Sequence, residues 1–138
     1  MIVTALDTNV ILDLLAGSQT TSQSGNGAVR AARLAGPICV SMIVYAEVAL
    51  NFPSRAAADE FFSLSNCRLD PVDESTAYLA AQFFGQYRRR GGSRMRILPD
   101  FVIAAHAQLR ASRLLTRDKR FFRETFPKLK AVSPEDLI

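Results

Sequence analysis

Residues 1–16, MIVTALDTNVILDLLA, join a short apolar run to a helical pattern, and this junction indicates the fold class. The apolar run, residues 2–6, predicts a buried strand that ends abruptly at Asp7. Between Asn9 and Ala16, apolar side chains recur at the spacing of one helix face. A strand that leads directly into a helix is typical of an α/β domain.

The rest of the chain continues this alternation. Further strands are predicted at residues 38–41, 67–69, 114–116 and 131–133. Further helices are predicted at residues 28–35, 41–50, from 53 onward, 73–90, 99–112 and after 118. The polar stretch GSQTTSQSGNG, residues 17–27, is assigned to a loop. We therefore expect a single α/β domain over residues 1–138, with helices covering both faces of a central, mainly parallel sheet of four to five strands.

Composition excludes several protein classes. With 138 residues, 49% of them apolar and 22% charged, the chain is too hydrophobic to be disordered and long enough to bury a core. No apolar run approaches the roughly 18 residues of a membrane span, and no secretory signal is visible at the N-terminus. Cys39 and Cys67 are expected to be buried, reduced thiols, with a disulfide as the alternative, and no Cys and His spacing indicates zinc. These features predict a cytoplasmic protein without membrane association.

The formal net charge of +4 is distributed unevenly. Residues 88–130 hold 13 basic and 3 acidic side chains, whereas residues 1–87 hold 4 basic and 8 acidic ones. This asymmetry favours a polyanionic partner, although a basic segment is also compatible with an ordinary solvated surface.

Three acidic residues interrupt apolar segments. Asp7 ends the first strand, Glu47 is the only charged residue in SMIVYAEVALNF, and Asp100 is the only acid in ILPDFVIAAHAQL. Helices that are apolar nearly all round are buried, so Glu47 and Asp100 are expected in or beside the interior. An isolated buried carboxylate is costly unless it is protonated, meets a cationic partner or binds a metal.

Each acid also has a structural alternative. Asp7 and Asp100 suit a helix cap and a first helical turn. Glu47 suits a buried ion pair with arginine, and Asp118 suits a turn or cap after the strand at 114–116. All four nevertheless map to the rim where parallel strands end and ligand groups gather. Oxygen ligands without histidine or cysteine suit Mg²⁺ or Mn²⁺, and an acidic rim beside a basic segment indicates metal-assisted phosphodiester cleavage.

Four segments, LDTNVILDLL, SMIVYAEV, LPDFVIAAHA and LLTRDKRFF, occur in an order and at intervals that resemble the PIN-domain family, and more narrowly a VapC-type toxin of a bacterial or archaeal toxin–antitoxin pair. The resemblance implies a three-layer α/β/α fold and an endoribonuclease that hydrolyses RNA with a metal-activated water. It also implies a homodimer and a cognate antitoxin, with DNA contacted only through that antitoxin. The polar stretch 17–27 departs from the family pattern.

The resemblance also implies roles for individual residues. Asp7, Glu47, Asp100 and Asp118 would form the acidic pocket that binds one or two Mg²⁺ or Mn²⁺ ions. Asn9 and Thr116 match polar positions that support this pocket, although Asn9 equally suits a hydrogen bond to a helix end.

Basic side chains near these motifs are candidates for RNA contact. They are Arg88, Arg89, Arg90, Arg94, Arg96, Arg117, Lys119 and Arg120. For residues 88–90, a favourable helix C-terminus is an equal alternative. His106 is expected to be structural, because it lies about 120° around the helix from Asp100. Core packing is favoured over base stacking for the aromatic residues Tyr87, Phe121 and Phe122.

Two other functions compete with an RNA-cleaving toxin. A non-catalytic RNA- or protein-binding module would use the basic segment and tolerate loss of the acids. A PIN-type nuclease that acts on DNA would use the same metal chemistry. A phosphoacceptor signalling domain is disfavoured, because it needs paired acids after the first strand, and Asp7 is followed by Thr8 and Asn9.

Overall fold

The computed structural model describes residues 1–17 and 20–138, and this part of the chain contains five strands and eight helices. The strands are β1 (Thr4–Leu6), β2 (Ile38–Ser41), β3 (Arg68–Asp70), β4 (Arg113–Leu115) and β5 (Ala131–Val132). The helices are α1 (Thr8–Ala16), α2 (Thr20–Ala35), α3 (Met42–Ala49), α4 (Arg55–Leu64), α5 (Glu74–Arg89), α6 (Leu98–Arg110), α7 (Lys119–Thr125) and α8 (Pro134–Leu137).

The strands form one sheet in the order β3-β2-β1-β4-β5, and every pairing is parallel. The first strand is central, since Thr4 pairs with Ile38 on β2 and with Arg113 on β4. Parallel neighbours require crossover connections, which the helices supply. The predicted three-layer α/β/α architecture is confirmed, with a sheet that is parallel throughout. The carboxyl ends of all five strands therefore lie at one edge.

Helix starts follow local capping chemistry. The side chains of Ser41, Ser54 and Asp73 accept hydrogen bonds from backbone N–H groups in the first turns of α3, α4 and α5. Such bonds satisfy donors that the first helical turn leaves unpaired. The predicted starts at Ser41 and Asp73 are confirmed, and α4 begins after Ser54 rather than at Pro53.

The core lies between the sheet and its helices, and α6 contributes seven consecutive buried residues, 101–107. Aromatic side chains of α5, α7 and the following turn surround Phe101, with ring centroids 5.0–6.3 Å from it: Phe84, Tyr87, Phe121 and Phe126. Phe122 packs against two members of this cluster. The predicted core packing of Tyr87, Phe121 and Phe122 is therefore confirmed.

The loop expected over residues 17–27 is wrong for residues 20–27, which form the first half of α2. Residues 18 and 19 lie outside the described part of the chain. A Cβ at Gly25 would lie 2.9 Å from the Asp13 Cβ, and one at Gly27 would lie 3.2 Å from the Ile138 Cγ2. These glycines let α2 pack closely on α1 and on the C-terminal end of the chain. Tertiary packing thus overrides the low helix propensity of the stretch.

Neither a disulfide nor a membrane helix occurs in the described residues. Cys39 is buried and Cys67 is half-buried, and both are free thiols as predicted. No described helix is long and apolar enough to cross a bilayer.

Candidate active site

Asp7 lies directly after β1, at the carboxyl edge of the sheet, and its side chain is held from two sides. The Thr116 hydroxyl donates to Asp7 Oδ2 at 2.7 Å, and the Thr8 backbone N–H donates to Asp7 Oδ1 at 2.7 Å. Only 6% of Asp7 is exposed. Asp7 is also the N-cap residue of α1, so the capping role and a place in the acidic site are compatible.

Thr116 joins two of the predicted acidic positions. Besides donating to Asp7, its hydroxyl oxygen accepts a hydrogen bond from the Asp118 backbone N–H at 2.9 Å. Thr116 is fully buried at the end of β4, which runs parallel to β1. The hydroxyl therefore orients the Asp7 carboxylate and fixes the turn that carries Asp118.

Glu47 is exposed, which corrects the expectation that it lies in or beside the interior. Helix α3 buries Val44 and Val48 on one side only, so its apolar composition does not produce burial all round. The Glu47 carboxylate still turns toward the start of α1, next to Asp7, because the Thr8 hydroxyl donates to Glu47 Oε1 at 2.7 Å. Thr8 is thus a site residue that the sequence motifs did not single out.

Asp100 and Asp118 approach the same edge from α6 and from the turn before α7. Asp100 is half-buried in the first turn of α6. Asp118 makes no side-chain cap for α7; instead, its Oδ2 accepts from Arg96 Nη1 at 2.6 Å. The Arg96 guanidinium carbon also lies 3.8 Å from the centre of the Phe121 ring. Arg96 is therefore fixed beside the acids by an ion pair and a cation–π contact.

The acids influence one another electrostatically. Burial raises the pKa of Asp7 to about 6, and the charges of Asp100 and Glu47 add to this effect, although Thr116 and Thr8 oppose it. Burial also raises the pKa of Asp100, with Glu47 and Asp118 acting in the same direction and Arg96 in the opposite one. The four predicted carboxylates thus share one electrostatic environment, which favours a bound cation.

The four carboxylates do not form a closed set of ligands. Among the described residues, the one group of three acidic, histidine or cysteine ligand atoms within 4.8 Å of each other is Cys39, Asp70 and His106. Two effects keep the arrangement open. The like charges repel one another, and Asp7, Glu47 and Asp118 each accept a hydrogen bond from a different donor. The candidate metal ligands at the rim are all carboxylate oxygen atoms, and such ligands fit a hard divalent cation.

The model of the PIN domain family matches residues 4–126. The chain belongs to the PIN domain family. No curated protein sequence matches the chain.

Three solved structures share the fold of this PIN domain. VapBC2 from Rickettsia felis, bound to a DNA fragment from its promoter, has a TM-score of 0.75 at 18% identity and covers 96% of this chain and 98% of its own. FitAcB from Neisseria gonorrhoeae has a TM-score of 0.73 at 23% identity, covering 97% and 99%. A toxin–antitoxin complex from Klebsiella pneumoniae has a TM-score of 0.70 at 24% identity, covering 95% and 97%. At these identities, the likeness establishes the fold.

The eight basic residues that are predicted to contact RNA fall into two groups in this PIN domain. Three of the predicted RNA contacts pair with acids of the same chain: Arg117 with Asp13, Lys119 with Asp136 at 2.8 Å, and Arg120 with Glu124 at 3.0 Å. The others lie on or after the last turn of α5 and in the segment before α6, where Arg96 also pairs with an acid, Asp118, at 2.6 Å: Arg88, Arg89, Arg90, Arg94 and Arg96. The second group is the better placed for a polyanion, since its members Arg88, Arg94 and Arg96 line one cavity of about 610 Å³.

Asn9 and His106 have structural partners. The Asn9 Oδ1 accepts from the Arg117 backbone N–H at 3.2 Å, which ties α1 to the turn after β4. His106 is 1% exposed and lies against Asp70 on β3, with its Nε2 2.9 Å from Asp70 Oδ2. The prediction that His106 does not join the acidic rim is confirmed. Its contact with Asp70 links elements 36 residues apart, and no local motif signals it.

Proposed function

We propose that this PIN domain is a metal-dependent endoribonuclease and the toxin of a type II toxin–antitoxin pair. The observation that carries the proposal is the Asp7 carboxylate, which is buried, held by Thr116 and raised in pKa by burial and by the charges of Asp100 and Glu47. A protein gains nothing in stability from crowding like charges, so such a site indicates a functional cation.

Asp7, Glu47, Asp100 and Asp118 would hold Mg²⁺ or Mn²⁺. When bound, the cation supplies charge neutralisation at the scissile phosphate and lowers the pKa of a water molecule for hydrolysis. Thr116 and Thr8 keep the carboxylates of Asp7 and Glu47 oriented toward the rim. Asn9 braces the adjacent turn through its bond to the Arg117 backbone.

Arginine side chains would bind the phosphates that flank the cleaved bond. Arg96 touches Asp118 at the rim and also lines the cavity that contains Arg88 and Arg94. The ion pair and the cavity support the proposal, because positive charge beside the proposed cation site would hold the polyanion that is cleaved. RNA is the proposed substrate, and hydrolysis of DNA by the same centre is the alternative.

Cleavage of a labelled RNA by the full chain, with and without Mg²⁺, tests the activity. Asp7→Asn and Asp100→Asn should each reduce the rate by about 100-fold or more, because each removes a charged ligand. Glu47→Gln should also reduce it strongly, whereas Glu60→Gln is the matched control, an exposed glutamate on the neighbouring helix α4. The mechanism is wrong if the Asp7 and Asp100 variants cut as fast as the native chain.

Cleavage of a DNA oligonucleotide of the same sequence, measured in parallel, distinguishes RNA from DNA as the substrate. Faster cleavage of the DNA would favour the DNA-directed alternative. Tight RNA binding with no cleavage, in the native chain and the variants alike, would instead identify a non-catalytic binding module.

A cognate antitoxin and a homodimer complete the proposal. The similar solved structures are VapBC2, FitAcB and a toxin–antitoxin complex, and this likeness supports an antitoxin partner for the present chain. In this chain, Met42, Leu50 and Phe52 leave apolar surface open at a cavity of about 630 Å³ between α3 and α4. We expect growth arrest on expression that a small adjacent gene relieves, and a dimeric mass by light scattering. Full growth on expression would contradict the toxin assignment without affecting the nuclease assignment.

A further inference from the structure

Cys39, Asp70 and His106 converge from three elements that are distant in sequence. Cys39 lies in β2, Asp70 at the end of β3 and His106 in the buried half of α6. Their ligand atoms, a thiol sulfur, a carboxylate oxygen and an imidazole nitrogen, all lie within 4.8 Å of one another. Neither the acidic rim nor the basic cavity uses them.

We propose that Cys39, Asp70 and His106 form a second metal site, which takes a divalent cation of the zinc class. Sulfur, nitrogen and oxygen donors together are the ligand set that Zn²⁺ accepts and that Mg²⁺ does not. The site would therefore differ in metal preference from the oxygen-only rim at Asp7. It lies about 9 Å along α6 from Asp100, since six residues separate Asp100 from His106.

The spacing of the three groups suits a zinc-class ion. Zinc bonds of about 2.0–2.3 Å in tetrahedral geometry put ligand atoms roughly 3.3–3.6 Å apart. The Asp70 Oδ2 to His106 Nε2 distance is 2.9 Å, and all three ligand atoms lie within 4.8 Å. Changes of about 0.5–1.5 Å in these separations would bring the three groups into zinc geometry, with His106 in the tautomer that leaves Nε2 unprotonated and a fourth ligand from outside the trio.

Arg68 supplies the positive charge that this carboxylate and the Cys39 thiol now meet, and its half-exposed side chain would turn outward when a cation binds. Its Nε donates to Asp70 Oδ1 at 2.9 Å, and its Nη2 donates to Oδ2 at 3.3 Å. Burial opposes ionisation of Asp70, but the bonds from Arg68 and His106 outweigh it and leave the pKa of Asp70 below its usual value. A neighbouring donor that orients a ligating carboxylate is a common part of metal sites.

A nucleophilic or redox role for Cys39 fits the structure less well. The thiol is 0% exposed, and burial raises its pKa to about 12, with a further rise from Asp70. Reactive cysteines need a thiolate and access to solvent, and Cys39 has neither. A zinc-class ion would supply the missing stabilisation of the thiolate as the thiol proton leaves.

Cobalt provides the test, because a cobalt–thiolate bond absorbs strongly in the near ultraviolet. The full chain, stripped by a chelator and held in excess Mg²⁺, is titrated with Co²⁺ while absorbance is recorded. We expect one equivalent to produce the thiolate band in the native chain and in Asp7→Asn. We expect its loss in Cys39→Ser and an apparent affinity at least about 10-fold weaker in His106→Gln.

Cys67→Ser is the matched control, since Cys67 is the other free thiol and lies outside the trio. Absence of the band in the native chain, its persistence in Cys39→Ser, or its loss in Cys67→Ser would each overturn the proposal and leave the three residues as a hydrogen-bonded link between β3 and α6. If Cys39→Ser does not fold by circular dichroism, the native chain alone decides: in urea just below the unfolding transition, where local opening exposes Cys39, Zn²⁺ should slow alkylation of Cys39 and leave that of Cys67 unchanged. Equal rates for Cys39 with and without Zn²⁺ refute the site. None of these results bears on RNA cleavage with Mg²⁺, so failure of the second metal site would leave the proposed nuclease function unaffected.

Discussion

Replacing Asp7 with asparagine should make the chain increasingly more stable than the native one as the pH rises. Removing most carboxylates has the opposite effect on the pH dependence of stability. Burial raises the pKa of Asp7 from 3.8 to about 6. Since the folded pKa lies above the unfolded one, ionisation favours the unfolded chain, and stability is lost as the pH rises from about 4 through 6. The difference between 3.8 and about 6 corresponds to about 3 kcal/mol at full ionisation. About 2.5 kcal/mol of this develops between pH 4 and pH 7.5.

Urea denaturation in chelator-treated buffer measures this change. The free energy of unfolding of Asp7→Asn should rise by about 2.5 kcal/mol relative to the native chain between pH 4 and pH 7.5, because asparagine carries no charge. Mg²⁺ should narrow the gap at pH 7.5, since it stabilises the chain that retains the carboxylate. If the difference in free energy of unfolding between the two proteins stays constant with pH, ionisation of Asp7 does not destabilise the fold, and the reasoning is refuted.

Asp136→Asn is the control for the sign of the effect. Lys119 and the Ser133 backbone lower the pKa of Asp136 to about 2. The stability that Asp136 contributes is present above the unfolded pKa and is lost as the pH falls toward 2. Between pH 4 and pH 7.5, Asp136→Asn should therefore differ from the native chain by a nearly constant amount.

Five further substitutions test the packing and charge of the site and the fit of α2 against its neighbours. Thr116→Val should lower the free energy of unfolding by about 1–3 kcal/mol in urea, because it removes the hydroxyl from two hydrogen bonds, whereas Thr116→Ser should stay within about 1 kcal/mol of the native chain. Arg96→Gln should tighten Mg²⁺ binding in calorimetry, because Asp118 loses the guanidinium that competes with the metal, and an unchanged Mg²⁺ affinity would contradict that competition. The same variant should bind RNA more weakly in Mg²⁺-free buffer, because it lacks a positive charge for phosphate. Gly25→Ala should destabilise the chain by about 1–3 kcal/mol through its clash with α1, while Gly27→Ala, which meets only a flexible side-chain end, should melt at or above the native temperature.

Most of the fold is predictable from the sequence because three of the five described strands are short, fully buried runs and several helices begin at a side-chain cap. Such strands appear as continuous apolar runs, and β1, β2 and β4 are fully buried. The exceptions depend on contacts that no local pattern contains. The first half of α2 relies on Gly25 fitting against α1, and the exposure of Glu47 depends on which side of α3 faces the core.

Three acidic residues of the candidate site, Asp7, Glu47 and Asp100, stand out in the sequence because each one interrupts an apolar segment. The hydrogen bonds at this site are not evident from local patterns, because they join remote parts of the chain, although the family resemblance already points to Thr116. Thr116 reaches Asp7 across 109 residues, and Arg96 reaches Asp118 across 22. The trio of Cys39, Asp70 and His106 escapes sequence analysis for the same reason, since metal-site motifs are recognised by short spacings.

β1 is the first strand to be synthesised, yet it lies in the middle of the sheet and needs a neighbour made much later. β2 can join it early, but β4 and the hydroxyl of Thr116 come more than a hundred residues afterwards. Contacts between such distant residues form late in folding, because the loop that joins them must close first. A growing chain on the ribosome therefore carries Asp7 without the hydroxyl that orients it. In a cell that makes this protein, the four acids can meet at one rim only after residue 118 has emerged from the ribosome, so the order of the strands itself delays assembly of the candidate site.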